Sequence, residues 1–126
     1  MKSNWLVVLA VITLFSGAPA RAHHGQAAYY TTAIVTVKGI VTDFQFVNPH
    51  VILEIDVKDE RGNLQKWQGE LTSPNRLVRS GWNARTLKSG DEITISGYRA
   101  KSGANSMWIT KAVLSNGQEL KLGGGN

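Results

Sequence analysis

Mainly β structure, curled into a small barrel of five to six strands with a short helical segment between strands 3 and 4, is the fold class the sequence predicts. Three observations carry it. Val51, Leu53, Ile55 and Val57 alternate with Ile52, Glu54 and Asp56, the period of two of a strand with one buried face. Similar runs recur along the chain, and the main interruption with helical signals, Ser73-Pro74 to Gly81, falls between the third run and the fourth. The first run is long and holds Gly39 in its interior, where a glycine lets one strand coil enough to pair at both ends of a sheet. Three strands, a helix and two further strands are the order of an OB-type barrel.

The elements follow in order. His23 to Thr32 has no clean period and reads as an arm leading into the barrel. Ile34 to Phe46 is the first strand, and the phase of its apolar residues slips at Gly39, which predicts a bulge or a sharp coil there. Asn48-Pro49-His50 is a rigid corner, because a proline cannot donate to a sheet ladder and the flanking strands must meet at it. Val51 to Val57 and Leu64 to Leu71 are the second and third strands, joined by the polar turn Lys58 to Asn63. Ser73 as N-cap and Pro74 in the first helical position predict a helical turn ending at Gly81. Asn83 predicts a second turn, Ala84 to Lys88. Leu77, Val78, Trp82 and Leu87 are expected to plug one end of the sheet, and Trp67 to join the core. Glu92 to Tyr98 and Met107 to Leu114 are the fourth and fifth strands, with a short last strand over Glu119 to Leu122. Residues 123–126 are expected to be a disordered tail.

The chain opens on Lys2, an apolar run from Trp5 to Phe15, and Ser16-Gly17-Ala18-Pro19-Ala20-Arg21-Ala22. A basic start, a short apolar core and a small-x-small end predict a cleaved signal peptide over 1–22. The run is short for a bilayer span, so a retained anchor is the weaker reading and no transmembrane span is expected after cleavage. Cleavage after Ala22 is preferred to cleavage after Ala20, which would place Pro19 beside the scissile bond. The mature chain then starts at His23, and a single domain over 23–122 is expected in the periplasm or medium of a Gram-negative bacterium. It holds no cysteine and must rely on its core. Lys2 and Arg21 leave with the leader, which has no Asp or Glu, so the mature charge is milder than the +5 of the whole chain. That argues against nucleic acid as a partner.

Several stretches occur together: the Ala22-His23-His24 junction, the Val47-Asn48-Pro49-His50 corner, and Ser73-Pro74-Asn75 followed by Arg79, Gly81 and Trp82. Leu87-Lys88-Ser89-Gly90-Asp91, leading to Gly97-Tyr98-Arg99-Ala100-Lys101, accompanies them. The combination resembles a family of small exported bacterial proteins, domain-of-unknown-function family 6152, over essentially the whole mature chain. The resemblance implies export, a single domain and a special status for His23, His24 and His50. It supplies no chemistry. The chain departs from the usual form in having Phe46 where tryptophan is common, and Tyr29-Tyr30 where the arm is usually more acidic.

The three histidines all sit at the junction or the corner. A chain starting at His23 offers an α-amine and a ring nitrogen from one residue, and the amine titrates near ~7.7–8.0, so a metal can displace its proton near neutral pH. His50 can add a third nitrogen, with His24 as helper. A nitrogen-rich site without thiolate favours Cu(II), ahead of Ni(II) and Zn(II). The arrangement resembles the histidine brace of copper-handling exported proteins. The bland alternative is a solvated arm and a histidine that hydrogen-bonds its own turn.

Arg79, Tyr98, Arg99 and Trp108 are candidates for a ligand face, since such barrels bind polymers by stacking, although a solvated charged face is the better account of the cations. Asp56, Asp59, Glu60 and Asn63 lack the spacing of a calcium loop. Glu54 and Glu70 lie on adjacent strands and could pair. No hydrolase elbow or zinc-protease helix is present, and no catalytic residue is assigned. The leading expectation is therefore a non-enzymatic, exported binding module with a copper site at His23, His24 and His50. The alternatives are a module that recognises an envelope polymer or protein through its sheet face, and a small copper-dependent redox enzyme.

Overall fold

The computed structural model describes residues 25–123. A 3-10 turn, Gly25–Ala28, leads into β1 (Tyr29–Gln45). β2 (Ile52–Lys58), β3 (Leu64–Glu70), α1 (Pro74–Val78), β4 (Glu92–Ala100) and β5 (Ser106–Leu114) follow. The strands close in the order β1-β2-β3-β5-β4, antiparallel throughout except for the parallel β3–β5 seam. Five strands with a helix between β3 and β4 make the expected OB-like barrel.

β1 closes the barrel because it is long enough to serve two partners. Its first part pairs with β4, from Tyr29↔Ala100 to Ile40↔Glu92, and its last part pairs with β2, from Ile40↔Asp56 to Gln45↔Ile52. The expected bulge at Gly39 is not there. The ladder to β4 runs straight past Gly39, and the register to β2 shifts between Val41 and Asp43. Gly39 is required by close approach instead: a Cβ at this position would stand 2.4 Å from the Asp56 carbonyl oxygen. Val35, Val37 and Val41 therefore share the inner phase, Phe44 and Phe46 resume it after the shift, and Ile40 points outward.

The interior is apolar. Leu53 and Ile55 of β2, Ile93 and Ile95 of β4, and Met107 and Ile109 of β5 are buried, each such side chain contributing about 1.5–3 kcal/mol. No polar or charged residue is buried among the described residues. Leu77, Trp82 and Leu87 are buried in the core cluster, but Val78 is exposed, since α1 is a single turn that turns only one face inward. Ser73 is extended and its carbonyl accepts from the Arg76 and Leu77 amides, while its side chain makes no cap bond. The second helical turn does not form. A single hydrogen-bonded turn stands there instead: the Thr86 amide donates to the Asn83 carbonyl at 3.0 Å, Asn83 Oδ1 accepts from the Arg85 amide and Thr86 Oγ1 from the Asn83 amide. Trp67 is half-buried at the edge of the core, with the Arg99 guanidinium 5.3 Å above its ring.

The boundaries move modestly. β1 begins at Tyr29, so the arm is shorter than the sequence suggests, and β4 runs on to Ala100. The last strand shrinks to one bridge, Val113↔Glu119, followed by Leu120 N–H donating to the Ala112 carbonyl at 2.9 Å. Gly123 lies against the α1 backbone at Arg76. Among the described residues no helix is long and apolar enough to cross a membrane.

Candidate functional site

The site forms on the outside of the barrel, where β3 and β5 run parallel. Gly69 is buried, so strand alternation turns the next residue, Glu70, outward. Met107 and Ile109 are buried on β5, which turns Trp108 outward between them, and Glu70 and Trp108 are partners across the seam. The corner is pinned beside them: the Val51 amide donates to the Thr72 carbonyl at 3.2 Å, and the Leu71 amide to the Val51 carbonyl at 2.9 Å. His50 is thereby held over the end of β3.

One carboxylate then gathers two side chains. His50 Nδ1 lies 2.5 Å from Glu70 Oε1, and the Tyr29 hydroxyl donates to Glu70 Oε2 at 2.6 Å. Trp108 packs beneath both, with its ring edge-on to His50 at 5.2 Å and tilted against Tyr29 at 6.2 Å. The side chains of His50 and Glu70 are 25% and 15% exposed, so the pair is shielded but reachable. Burial pushes the Tyr29 hydroxyl well above the usual tyrosine range. Its hydrogen bond to Glu70 and the nearby charge push the same way, and a hydrogen bond with Ser106 opposes them. Tyr29 is therefore a standing donor at any ordinary pH.

This geometry sets the imidazole. An ionised carboxylate only accepts, so opposite it Nδ1 carries a proton, and in the neutral tautomer with that proton the lone pair lies on Nε2. Among the described residues no hydrogen bond is made by Nε2. A histidine held this way at Nδ1 is oriented to ligate a cation through Nε2, or to accept a proton there. Among the described residues no group of three His, Cys, Asp or Glu could hold a metal, so His50 would be one ligand awaiting others. His23 and His24 lie outside the described residues.

The other candidates separate. Tyr98 and Trp108 are direct partners across β4–β5 and share the outer face. Arg99 turns the other way, over Trp67, and donates to the Gly103 carbonyl at 3.1 Å. Arg79 is exposed at the end of α1 and makes no hydrogen bond or ion pair with those three. Glu54 stands opposite Gln68 while Glu70 stands opposite Ile52, so the carboxylate pair does not form. Asp59 accepts from the Arg61 and Asn63 amides, both at 2.9 Å, and closes a hairpin turn.

Sequence reasoning missed Tyr29 and the role of Glu70. The outward phase of Glu70 beside Gly69 was readable. Tyr29 carried no signal, because its segment has no period and its partner lies 41 residues away.

A family model described as "Family of unknown function (DUF6152)" matches residues 11–108. Comparison with curated proteins returns no match. Among solved structures, the crystal structure of Rim1, a mitochondrial single-stranded DNA binding protein from S. cerevisiae, is similar at a TM-score of 0.51 and 9% identity. The likeness covers 66% of this chain and 93% of that one, and at such identity it is one of fold.

Proposed function

The chain belongs to the family of unknown function whose model it matches, and we propose that it is an exported, periplasmic OB-like binding module with a copper site built from His50 and the mature N-terminus. The observation that carries this reading is the Glu70 clamp, which takes Nδ1 of His50 and leaves Nε2 to ligate. Tyr29 supports it, because the arm that leads back to the junction lands on the same carboxylate. From Tyr29 the chain passes through one 3-10 turn, Gly25–Ala28, with a rise of roughly 2 Å per residue. His24 is the residue before that turn in sequence, and the turn itself spans about 8 Å of helical rise.

Cleavage after Ala22 would supply the α-amine and ring of His23, with His24 as helper. With His50 Nε2 these make a thiolate-free nitrogen site, the donor set that favours Cu(II). Export rests on the leader composition and the family resemblance. The single-stranded DNA binding of the Rim1 protein is not carried over, since export and a mild charge both oppose a nucleic acid partner.

Mass spectrometry of the exported chain should give a first residue of His23. Isothermal titration with Cu(II) should then show tight binding by that chain, weaker by about 10-fold or more in His50→Ala and in a form retaining Ala22. Equal binding by all three would remove the site.

A second reading is favoured by the outer-face pair Tyr98–Trp108, a half-exposed aromatic surface suited to stacking against an envelope polymer or protein. It requires that Trp108→Ala lose the partner while His50→Ala keep it.

A further inference from the structure

The Tyr29–Glu70–His50 hydrogen bonds stand apart from the main apolar core cluster, although the Tyr29 ring is itself buried. Glu70 and Trp108 pair across the β3–β5 seam, and the polar chain lies on the face carrying Trp108. Its connectivity is also unusual for a surface ion pair. Each carboxylate oxygen serves a different part of the molecule: Oε1 the corner, Oε2 the arm. Both contacts are short, as charge-assisted bonds are. A carboxylate is a rigid plane, so rotation that loosens one bond disturbs the other.

We infer that Glu70 is a positioning residue that couples the seating of the N-terminal arm to the orientation of His50, with Tyr29 as the anchor of the arm. When Tyr29 is seated, Glu70 is fixed, Nδ1–H is held and Nε2 faces its ligand in one direction. When the arm lifts, the carboxylate turns and the imidazole loses its reference. Coupling of this kind is reciprocal, so a divalent cation on Nε2 in turn holds the arm down. That reciprocal half rests on the copper reading above; the seating half does not.

The arm has its own reporter. The Lys101 amide donates to the Ala28 carbonyl at 3.0 Å, one residue before Tyr29. Hydrogen exchange at Lys101 in the metal-free mature chain therefore reads arm seating directly. Tyr29→Phe and Glu70→Gln are both expected to speed it by about tenfold or more, the value of a hydrogen bond to a charged group. Tyr30→Phe, an exposed neighbour, is the control and is expected to leave it unchanged. Cu(II) titration of the same proteins should show Glu70→Gln weaker by about 10–100-fold, with altered nitrogen hyperfine structure in the electron paramagnetic resonance spectrum. Tyr29→Phe should weaken binding in the same direction although its hydroxyl is not a ligand. Unchanged exchange in Tyr29→Phe overturns the inference whatever the metal does. Faster exchange with unchanged copper affinity overturns the coupling and spares the copper site. A wild-type chain that ignores copper overturns the copper reading and leaves arm seating to be judged on exchange alone.

Discussion

Gly97→Ala tests how the site rests on the barrel beneath it. Gly97 of β4 stands opposite Ile109, at the register shift that follows Ser96. A Cβ there would lie 2.0 Å from the Trp108 carbonyl oxygen, 2.7 Å from its carbon and 2.9 Å from the Ile109 Cα. A comfortable carbon–oxygen approach is about 3.3 Å, so the β5 backbone would have to retreat by about 1.3 Å. No side chain can rotate to spare it, because every blocking atom is main chain. Overpacking of this kind costs about 1–3 kcal/mol, and each weakened ladder bond adds about 0.5–1.5 kcal/mol, so a total of about 3 kcal/mol is expected. Gly69→Ala is the comparison. Its Cβ would meet Ile109 Cδ1 at 2.3 Å, Ile109 Cγ1 at 2.9 Å and Ile95 Cδ1 at 3.3 Å, all side-chain atoms that rotation can move, with no main-chain atom among them. It should cost less than half as much. Urea unfolding of the mature chain, followed by tryptophan fluorescence and far-ultraviolet dichroism, measures both. Because Trp108 carries the displaced carbonyl, the variant should also loosen the Trp108–His50 contact and change the native emission. A Gly97→Ala protein within about 0.5 kcal/mol of wild type, or more stable than Gly69→Ala, would refute the steric argument.

Two further expectations follow from separate parts of the molecule. The Trp82 indole N–H donates to the Lys121 carbonyl at 2.7 Å, so Trp82→Phe should cost about 1–3 kcal/mol from the lost bond and volume, and proteolysis should find the segment after Gln118 first. Asp91 holds the turn before β4, where its carbonyl accepts from Val41 and its side chain takes both the Lys88 ammonium and amide; these hold its carboxyl below the usual range, the ammonium bond foremost. A folded-state value below the unfolded one stabilises above about pH 4 and is lost as pH falls through the folded value, so the gap between wild type and Asp91→Asn should be full at pH 7 and close below about pH 3. A constant gap from pH 7 to 2.5 would show that the charge is not the cause.

The barrel was legible because its signals are local. Period-two alternation in Val51 to Val57 names a buried face without reference to any partner, and Pro74, with its fixed φ, marks a helix start at the first helical position. The Asn48-Pro49-His50 corner was equally readable, since proline excludes itself from a ladder wherever the strand lies. Gly39 is legible by position, but the sequence leaves its cause open between a bulge and a sharp coil. A bulge and a close approach both demand glycine, and only the Asp56 carbonyl across the ladder separates them.

His50 could be singled out from its corner, but its Nδ1 partner lies 20 residues on, and the Tyr29 that shares this partner lies 41 residues before it. Tyr29 sits in a segment without period. Glu70 reads as one more outward polar residue until the parallel β3–β5 seam sets it beside Trp108 and the corner delivers His50 to it. The amino-acid order determined the strands, their inner faces and the corner, because each is a matter of neighbours a few residues apart. The meeting of arm, corner and β3 on one carboxylate was decided by barrel closure, which joins distant residues in a register that no local pattern encodes.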